Sequence, residues 1–145
     1  MSSSPQDVSH AVAELMPNVI RGIQLDFFIR KRVTQTQFLV LVAIHAAGRT
    51  TMGPLARNLH VRMPTATGIV HRLVLAGYVR RHTGPDDRRC VWVELTPKGH
   101  AFIREFQGII QRRWEEVLRS LPPRELAAFH GVIVTLQDQL RRADT

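Results

Sequence analysis

The residues best suited to chemistry in this chain are arginine, threonine and histidine, and they crowd into its middle third. Arg57, Arg62, Arg72, Arg80, Arg81, Arg88 and Arg89 all fall there. A guanidinium is permanently charged and presents its donors as a planar fork that matches phosphate oxygens. Thr65 and Thr67 add short hydroxyls that can bond a phosphate or a base edge, and methyls that can touch the methyl of thymine. From Gly48 to His100 nine basic residues stand against three acidic ones, a net of +6, while the flanks carry eleven against nine. Over all 145 residues the net charge is +8 and the isoelectric point is about 11.3. An excess so localised is the footprint of a polyanionic partner.

Other chemistries fit less well. His45, His60, His71, His82 and His100 occur without a Cys-x-x-Cys, a His-x-x-x-His or an acid-rich cluster, so no metal site is expected. There is no Gly-x-Ser-x-Gly elbow, no phosphate-binding glycine loop and no nucleophile–base pair, so neither an enzyme nor a cofactor is expected. The single cysteine, Cys90, cannot form an internal disulfide, which points to a reducing compartment. Its neighbours Arg88 and Arg89 leave redox sensing by this thiol as a side hypothesis. The first residues lack a basic start followed by an apolar stretch, and no run approaches the ~18 apolar residues of a membrane span. A soluble cytoplasmic protein without membrane contact is the expectation.

The hydrophobic pattern predicts the elements that position these residues. Val8, Val12, Leu15, Val19, Ile23 and Phe27 recur at steps of three or four over Asp7 to about Arg30, one helical face, with a kink or break expected near Met16 because of Pro17. Thr34 to Ala47 is a second, strongly apolar helix closed by Gly48. Thr51 can cap a third helix to about Leu59, and a fourth runs from about Met63 to Ala76, ahead of Gly77. The period then changes to alternation over 78–82 and 91–95, two strands around the turn-rich, charged stretch Thr83 to Arg89. Thr96 can cap a long helix to about Arg119, Pro122-Pro123 breaks it, and a last helix over 124–142 carries Leu126, Phe129, Ile133, Leu136 and Leu140 on one stripe.

Helix, short helix, turn, helix and basic hairpin is the order of a winged helix-turn-helix, whose second helix enters the major groove while the hairpin reaches the adjacent backbone or minor groove. Thr36-Gln37-Phe38, Leu55-Ala56-Arg57-Asn58-Leu59, Thr65-Ala66-Thr67, Arg72-Leu73, Gly77-Tyr78-Val79, Asp87-Arg88-Arg89 and Val93-Glu94-Leu95-Thr96 with Gly99 sharpen it. On these residues the chain resembles the MarR family of bacterial transcriptional regulators, by motif over Thr34 to Gly99 and by helix order over nearly the whole length. The fold implied is mainly helical with a small β-hairpin. Residues 1–33 would form a tail and dimerisation helix, 34–96 the winged helix-turn-helix, and 97–145 the C-terminal dimerisation helices. The resemblance implies a homodimer on a pseudo-palindromic operator in double-stranded DNA, repressing until a small aromatic or phenolic effector binds.

The same resemblance assigns roles. Arg88 or Arg89 would enter the minor groove, oriented by Asp87 through a charge-assisted hydrogen bond. Thr65, Thr67 and His71 would meet DNA from the fourth helix, His71 standing where relatives usually carry an acid, and Arg72, which matches a family arginine, could clamp a phosphate or pin the helix to its own domain. Arg57 and Arg62 are candidate phosphate contacts, with Arg62 in place of the usual capping serine. Gly68 departs from the longer residue common there, so either the backbone approaches DNA closely or the helix reads fewer bases. Phe27, Phe28 and His45 are candidates to line an effector pocket, and Val12, Leu15, Phe129, Ile133 and Leu136 are candidates for dimerisation. The apolar stripes of the first, fifth and sixth helices exceed what a winged helix of ~65 residues could cover, which supports the dimer independently. An architectural or scaffold winged-helix protein without a specific operator is the second reading of the same features.

Overall fold

The computed structural model describes residues 3–21 and 25–143. Its elements run α1 (Pro5–Arg21), α2 (Leu25–Lys31), α3 (Gln35–Ala47), β1 (Arg49–Thr51), α4 (Met52–Asn58), α5 (Met63–Leu75), β2 (Val79–Thr83), β3 (Val91–Leu95), α6 (Pro97–Leu118) and α7 (Pro123–Ala143). The chain divides into two compact units, one of Met1–Ile23 with Ile110–Thr145 and one of Gln24–Ile109.

The winged helix-turn-helix forms the second unit, which reaches beyond 34–96 on both sides. Phe27 from α2 and Phe102 and Ile103 from α6 are buried with Val40, Leu41 and Ile44 of α3 and Val70 and Leu73 of α5. Each such large apolar side chain contributes roughly 1.5–3 kcal/mol when fully buried. Phe28, Phe38 and Phe106 pack against this core, with the Phe38 and Phe106 rings 4.6 Å apart. Thr34 starts α3 with a reciprocal cap: its hydroxyl accepts from the Gln37 N–H at 3.2 Å, and its own N–H donates to the Gln37 side chain at 2.9 Å. Gly48 ends α3 at φ 73°, as its glycine led us to expect.

The hairpin is part of a three-stranded antiparallel sheet in the order β1-β3-β2, not a two-stranded one. Arg49, Thr50 and Thr51 pair with Glu94, Val93 and Trp92. Three residues between two helices are too few to show a period, which is why alternation did not reveal this strand. Thr51 is thereby held as a strand residue before α4, and its side chain makes no capping bond. Pro17 likewise does not break the first helix, which continues to Arg21. Pro17 and Ala13, whose carbonyl the proline leaves unpaired, are both exposed, so solvent replaces the lost bond. Ile23, expected on the same stripe, lies outside the described residues.

Two helix ends set the geometry of this second unit. After α4, His60 takes a left-handed conformation at φ 53°, and the His60 and Val61 N–H groups bond the carbonyls of Arg57 and Ala56. After α5, Gly77 does the same at φ 83°: its N–H reaches the Val74 carbonyl at 3.0 Å and the Tyr78 N–H reaches Leu73 at 2.9 Å. That second end is clasped from the far side of the hairpin. The Thr96 hydroxyl donates to the Gly77 carbonyl, the Thr96 N–H to Tyr78 at 3.0 Å, and the Lys98 ammonium to Ala76 at 2.7 Å. Thr96 also caps α6, as expected, by accepting from the Gly99 N–H at 3.2 Å.

The other unit holds α1, the second half of α6, and α7. Arg113 donates to the Asn18 carbonyl at 3.1 Å and pairs with Glu116 at 3.0 Å, while the Trp114 and Phe129 rings lie 6.2 Å apart. Val8, Val12, Leu15 and Ile20 of α1 and Phe129, Val132, Ile133, Leu136 and Leu140 of α7 are exposed. No residue of α7 is buried.

Gly99 has no room for a side chain, because a Cβ there would collide with the Tyr78 carbonyl oxygen and crowd Leu95. Gly99→Ala is expected to destabilise the fold by about 2 kcal/mol, the usual scale of overpacking, read as a lower urea midpoint.

Candidate nucleic-acid interface

Helix α5 has two sides of opposite character. Ala66, Ile69, Val70 and Leu73 are buried, whereas Thr65, Thr67, His71 and Arg72 are exposed. The same helix is thus anchored by one face and free on the other. Gly68 lies between these polar residues, and a Cβ built on it would meet no atom within 4 Å. Nothing inside the fold requires glycine there, although a mid-helix glycine costs ~1 kcal/mol relative to alanine. Arg62 occupies the N-cap position without a side-chain capping bond, and both Arg62 and Arg57 are exposed.

Strand β2 divides its side chains between the two faces of the sheet. Arg80 and His82 share one face with Glu94 of β3, at 2.7 Å and 3.7 Å respectively. Arg49 from β1 stacks on Trp92 of that face, its guanidinium carbon 4.7 Å from the ring centre. Arg81 projects from the opposite face toward α5, where its Nη2 lies 3.2 Å from Nδ1 of His71. An open hollow lined by Arg81, His82, Thr83 and Val91 lies beside this contact. The hydrogen bond from Arg80 is the main reason the Glu94 carboxyl titrates below its ordinary range; partial burial opposes the shift, and the charges of Arg80, His82 and Arg49 add to it.

At the wing tip, Arg88 and Arg89 are exposed, as the sequence led us to expect. Asp87 departs from its expected part. Its carboxylate accepts from the backbone N–H of Arg89 at 2.8 Å, and the Asp87 carbonyl accepts from the Cys90 N–H at 3.1 Å. Asp87 therefore orders the turn rather than an arginine side chain, because an Asx-type bond to the backbone two residues on is the shortest reach for its carboxylate. Gly84 is buried at the base of this tip, with the Trp92 indole 3.2 Å from where its Cβ would stand.

Sequence reasoning had not placed Arg80 or Arg81 at the site. Their signal was available in the alternation of β2, which sends adjacent arginines to opposite faces, but their partners Glu94 and His71 are 14 and 10 residues away. The remaining predicted residues fall elsewhere. Phe27 is fully buried and Phe28 half-buried in the aromatic cluster, and His45 is exposed with its ring 6.3 Å from that of His100. Among the described residues no group of three His, Cys, Asp or Glu side chains could hold a metal, and no helix is long and apolar enough to cross a membrane.

Comparison with known proteins gives this geometry a family. The MarR family profile matches residues 33–91. The multiple antibiotic resistance protein MarR of Salmonella typhimurium is 35% identical over 102 residues, covering 70% of this chain and 71% of the relative. The chain belongs to the MarR family. Its fold agrees with that of the transcriptional regulator Tm0710 from Thermotoga maritima, with a TM-score of 0.78 at 25% identity over 94% of this chain and 96% of the other. The structure of NadR in complex with 4-hydroxyphenylacetate shares the fold at a TM-score of 0.57 and 21% identity, covering 94% and 93%. This MarR-family chain is accordingly a DNA-binding transcriptional regulator of the winged helix-turn-helix type, and not an enzyme.

The Glu94 pair makes an acid-sensitive contribution to wing stability. A carboxyl whose value is depressed in the folded state stabilises fully above its ordinary value of 4.5 and loses that contribution as the pH falls through the depressed value. Glu94→Gln is expected to flatten the acid limb of the stability–pH curve below about pH 4.5 while leaving its shape near neutrality unchanged, measured by thermal melts across pH.

Proposed function

We propose that this regulator binds a pseudo-palindromic operator as a homodimer and represses transcription from it, α5 entering the major groove and the wing the neighbouring minor groove. The observation that carries this reading is the 3.2 Å contact between His71 of α5 and Arg81 of β2. It joins the polar face of the helix and the basic wing into one surface. On this reading Thr65, Thr67 and His71 face base edges, and Arg57, Arg62 and Arg72 neutralise phosphates. Arg88 and Arg89 probe the minor groove, where a narrow A·T-rich stretch concentrates negative potential.

The homodimer is supported by the exposed apolar faces of α1 and α7. Val12, Leu15, Phe129, Ile133 and Leu136 are the residues we assign to self-association, since single soluble chains rarely leave such continuous apolar stripes open. Two copies would set their recognition helices about 34 Å apart, one turn of the duplex. A small aromatic or phenolic effector suits the chemistry of half-buried Phe28 in the aromatic cluster and of exposed His45, and NadR supplies a precedent in its own complex. We assign Phe27 the role of a wall behind Phe28, its ring centre 5.4 Å away. A repressor acts where the chromosome is, which places its work in the cytoplasm.

Fluorescence-anisotropy titration of the intergenic DNA beside its own gene, against scrambled DNA at ~150 mM salt, tests the reading. A preference of about 10³ or more is expected, and equal affinity for both would instead favour an architectural role. The same assay screens phenolic acids for release of DNA. In it, the Arg88→Ala/Arg89→Ala variant is expected to bind more weakly and to lower the log–log salt slope by about 0.9 for each phosphate no longer neutralised. An Ile133→Glu/Leu136→Glu variant is expected to sediment as a monomer at concentrations where the unaltered chain is a dimer, and to lose operator affinity with it.

A further inference from the structure

We propose that His71 is a base-reading donor of this regulator and that Arg81 holds it in the reading tautomer. The proposal rests on α5 being the major-groove helix and names what one of its residues selects. A guanidinium has five donors and no acceptor. The Arg81 Nη2 contact at 3.2 Å is therefore a hydrogen bond only when His71 Nδ1 carries a lone pair. The ring proton then resides on Nε2, and the free edge of the imidazole presents a donor.

Three features of the surroundings make this arrangement more than an incidental surface contact. Arg81 is free of competing carboxylates: among the described residues Glu94 pairs with Arg80 and His82, on the opposite face of the sheet. Its other N–H groups stay available for a phosphate. Next, His71 is exposed and belongs to the same face as Thr67, one helical turn earlier. Last, Gly68 lies three residues before His71 with open space where a side chain would stand, so the helix can approach a base pair closely at the imidazole. That fits the otherwise uncompensated presence of glycine in mid-helix.

The donor selects by a simple rule of groove chemistry. A purine offers N7 as an acceptor, guanine adds O6 and thymine offers O4, whereas cytosine presents only its N4 amino donor. One position in each half-site is therefore expected to exclude cytosine on the strand facing His71. Arg81 acts as a positioning residue, and its effect on base choice passes through the imidazole.

The test is selection of a random-sequence duplex pool by the full-length chain and by His71→Ala, Arg81→Ala and Arg81→Lys variants, with long-range proton–nitrogen NMR correlation of the His71 ring. The unaltered chain is expected to enrich a motif with one cytosine-depleted column. His71→Ala should lose about fivefold discrimination in that column alone, in keeping with one net hydrogen bond. Arg81→Ala should blur the same column, and Arg81→Lys, which keeps a donor, should restore part of it. NMR should find the ring proton on Nε2 in the unaltered chain and shared between the two nitrogens in Arg81→Ala. An unchanged column in His71→Ala, or a proton resident on Nδ1, overturns the proposal while the operator reading stands. A pool from which the unaltered chain enriches no motif overturns the operator reading itself, and this proposal with it.

Discussion

The geometry of the DNA-binding unit depends on the end of α5. Gly77 turns the chain out of the helix in a left-handed conformation, and the carbonyls of Ala76, Gly77 and Tyr78 are taken by Lys98 and Thr96 on the far side of the hairpin. Each bond is modest by itself, about 1 kcal/mol net. Together they tie the last turn of one helix, both strands of the wing and the first turn of α6 into one junction. Gly99 is bare because that junction leaves no space between α6 and the Tyr78 carbonyl. The wing is thereby held against α5 at its base, while its tip from Gly84 to Cys90 is organised separately by Asp87 and a bond from the Gly84 N–H to the Cys90 carbonyl.

The parity of one short strand then sorts the charges. Arg80 is neutralised by Glu94 on the outer face of the sheet, and Arg81, the next residue, is delivered to the helix side. A shift of one residue in the register of β2 would exchange them, setting Arg81 beside Glu94 and Arg80 beside α5. Register is secured by Val79, the buried residue of β2, whose side chain packs on the core face with Val93 and Leu95 and would be turned outward by a slip. Electrostatics at the surface is in this sense a consequence of packing underneath it.

Local helix stability is given up on α5. Its buried face is continuous and apolar, but its exposed face tolerates a glycine that helix propensity disfavours and an N-terminus without a capping side chain. Both features cost stability without any gain inside the fold. The core of Phe27, Phe102, Leu41 and Ile44 and the capping box of α3 carry that cost. Departures from local preference of this kind concentrate where a surface is shaped for something other than its own chain.

The sequence alone determined the helices from α3 onward and the two strands of the wing, the glycine stops at 48 and 77, the basic middle third and the family. Those features are local or additive: periodicity, caps and charge counts need no knowledge of which segments meet. Tertiary structure decided the rest. It made Arg49–Thr51 a third strand, because a strand of three residues exists only through its partners Glu94, Val93 and Trp92. It kept Pro17 inside α1, where the unpaired carbonyl is exposed to solvent, and turned Asp87 toward backbone instead of guanidinium. It also brought Arg81 to His71, a pair separated by a glycine turn and set by strand parity. Pairings across a turn depend on register and on which face each residue occupies, and only the folded chain defines both.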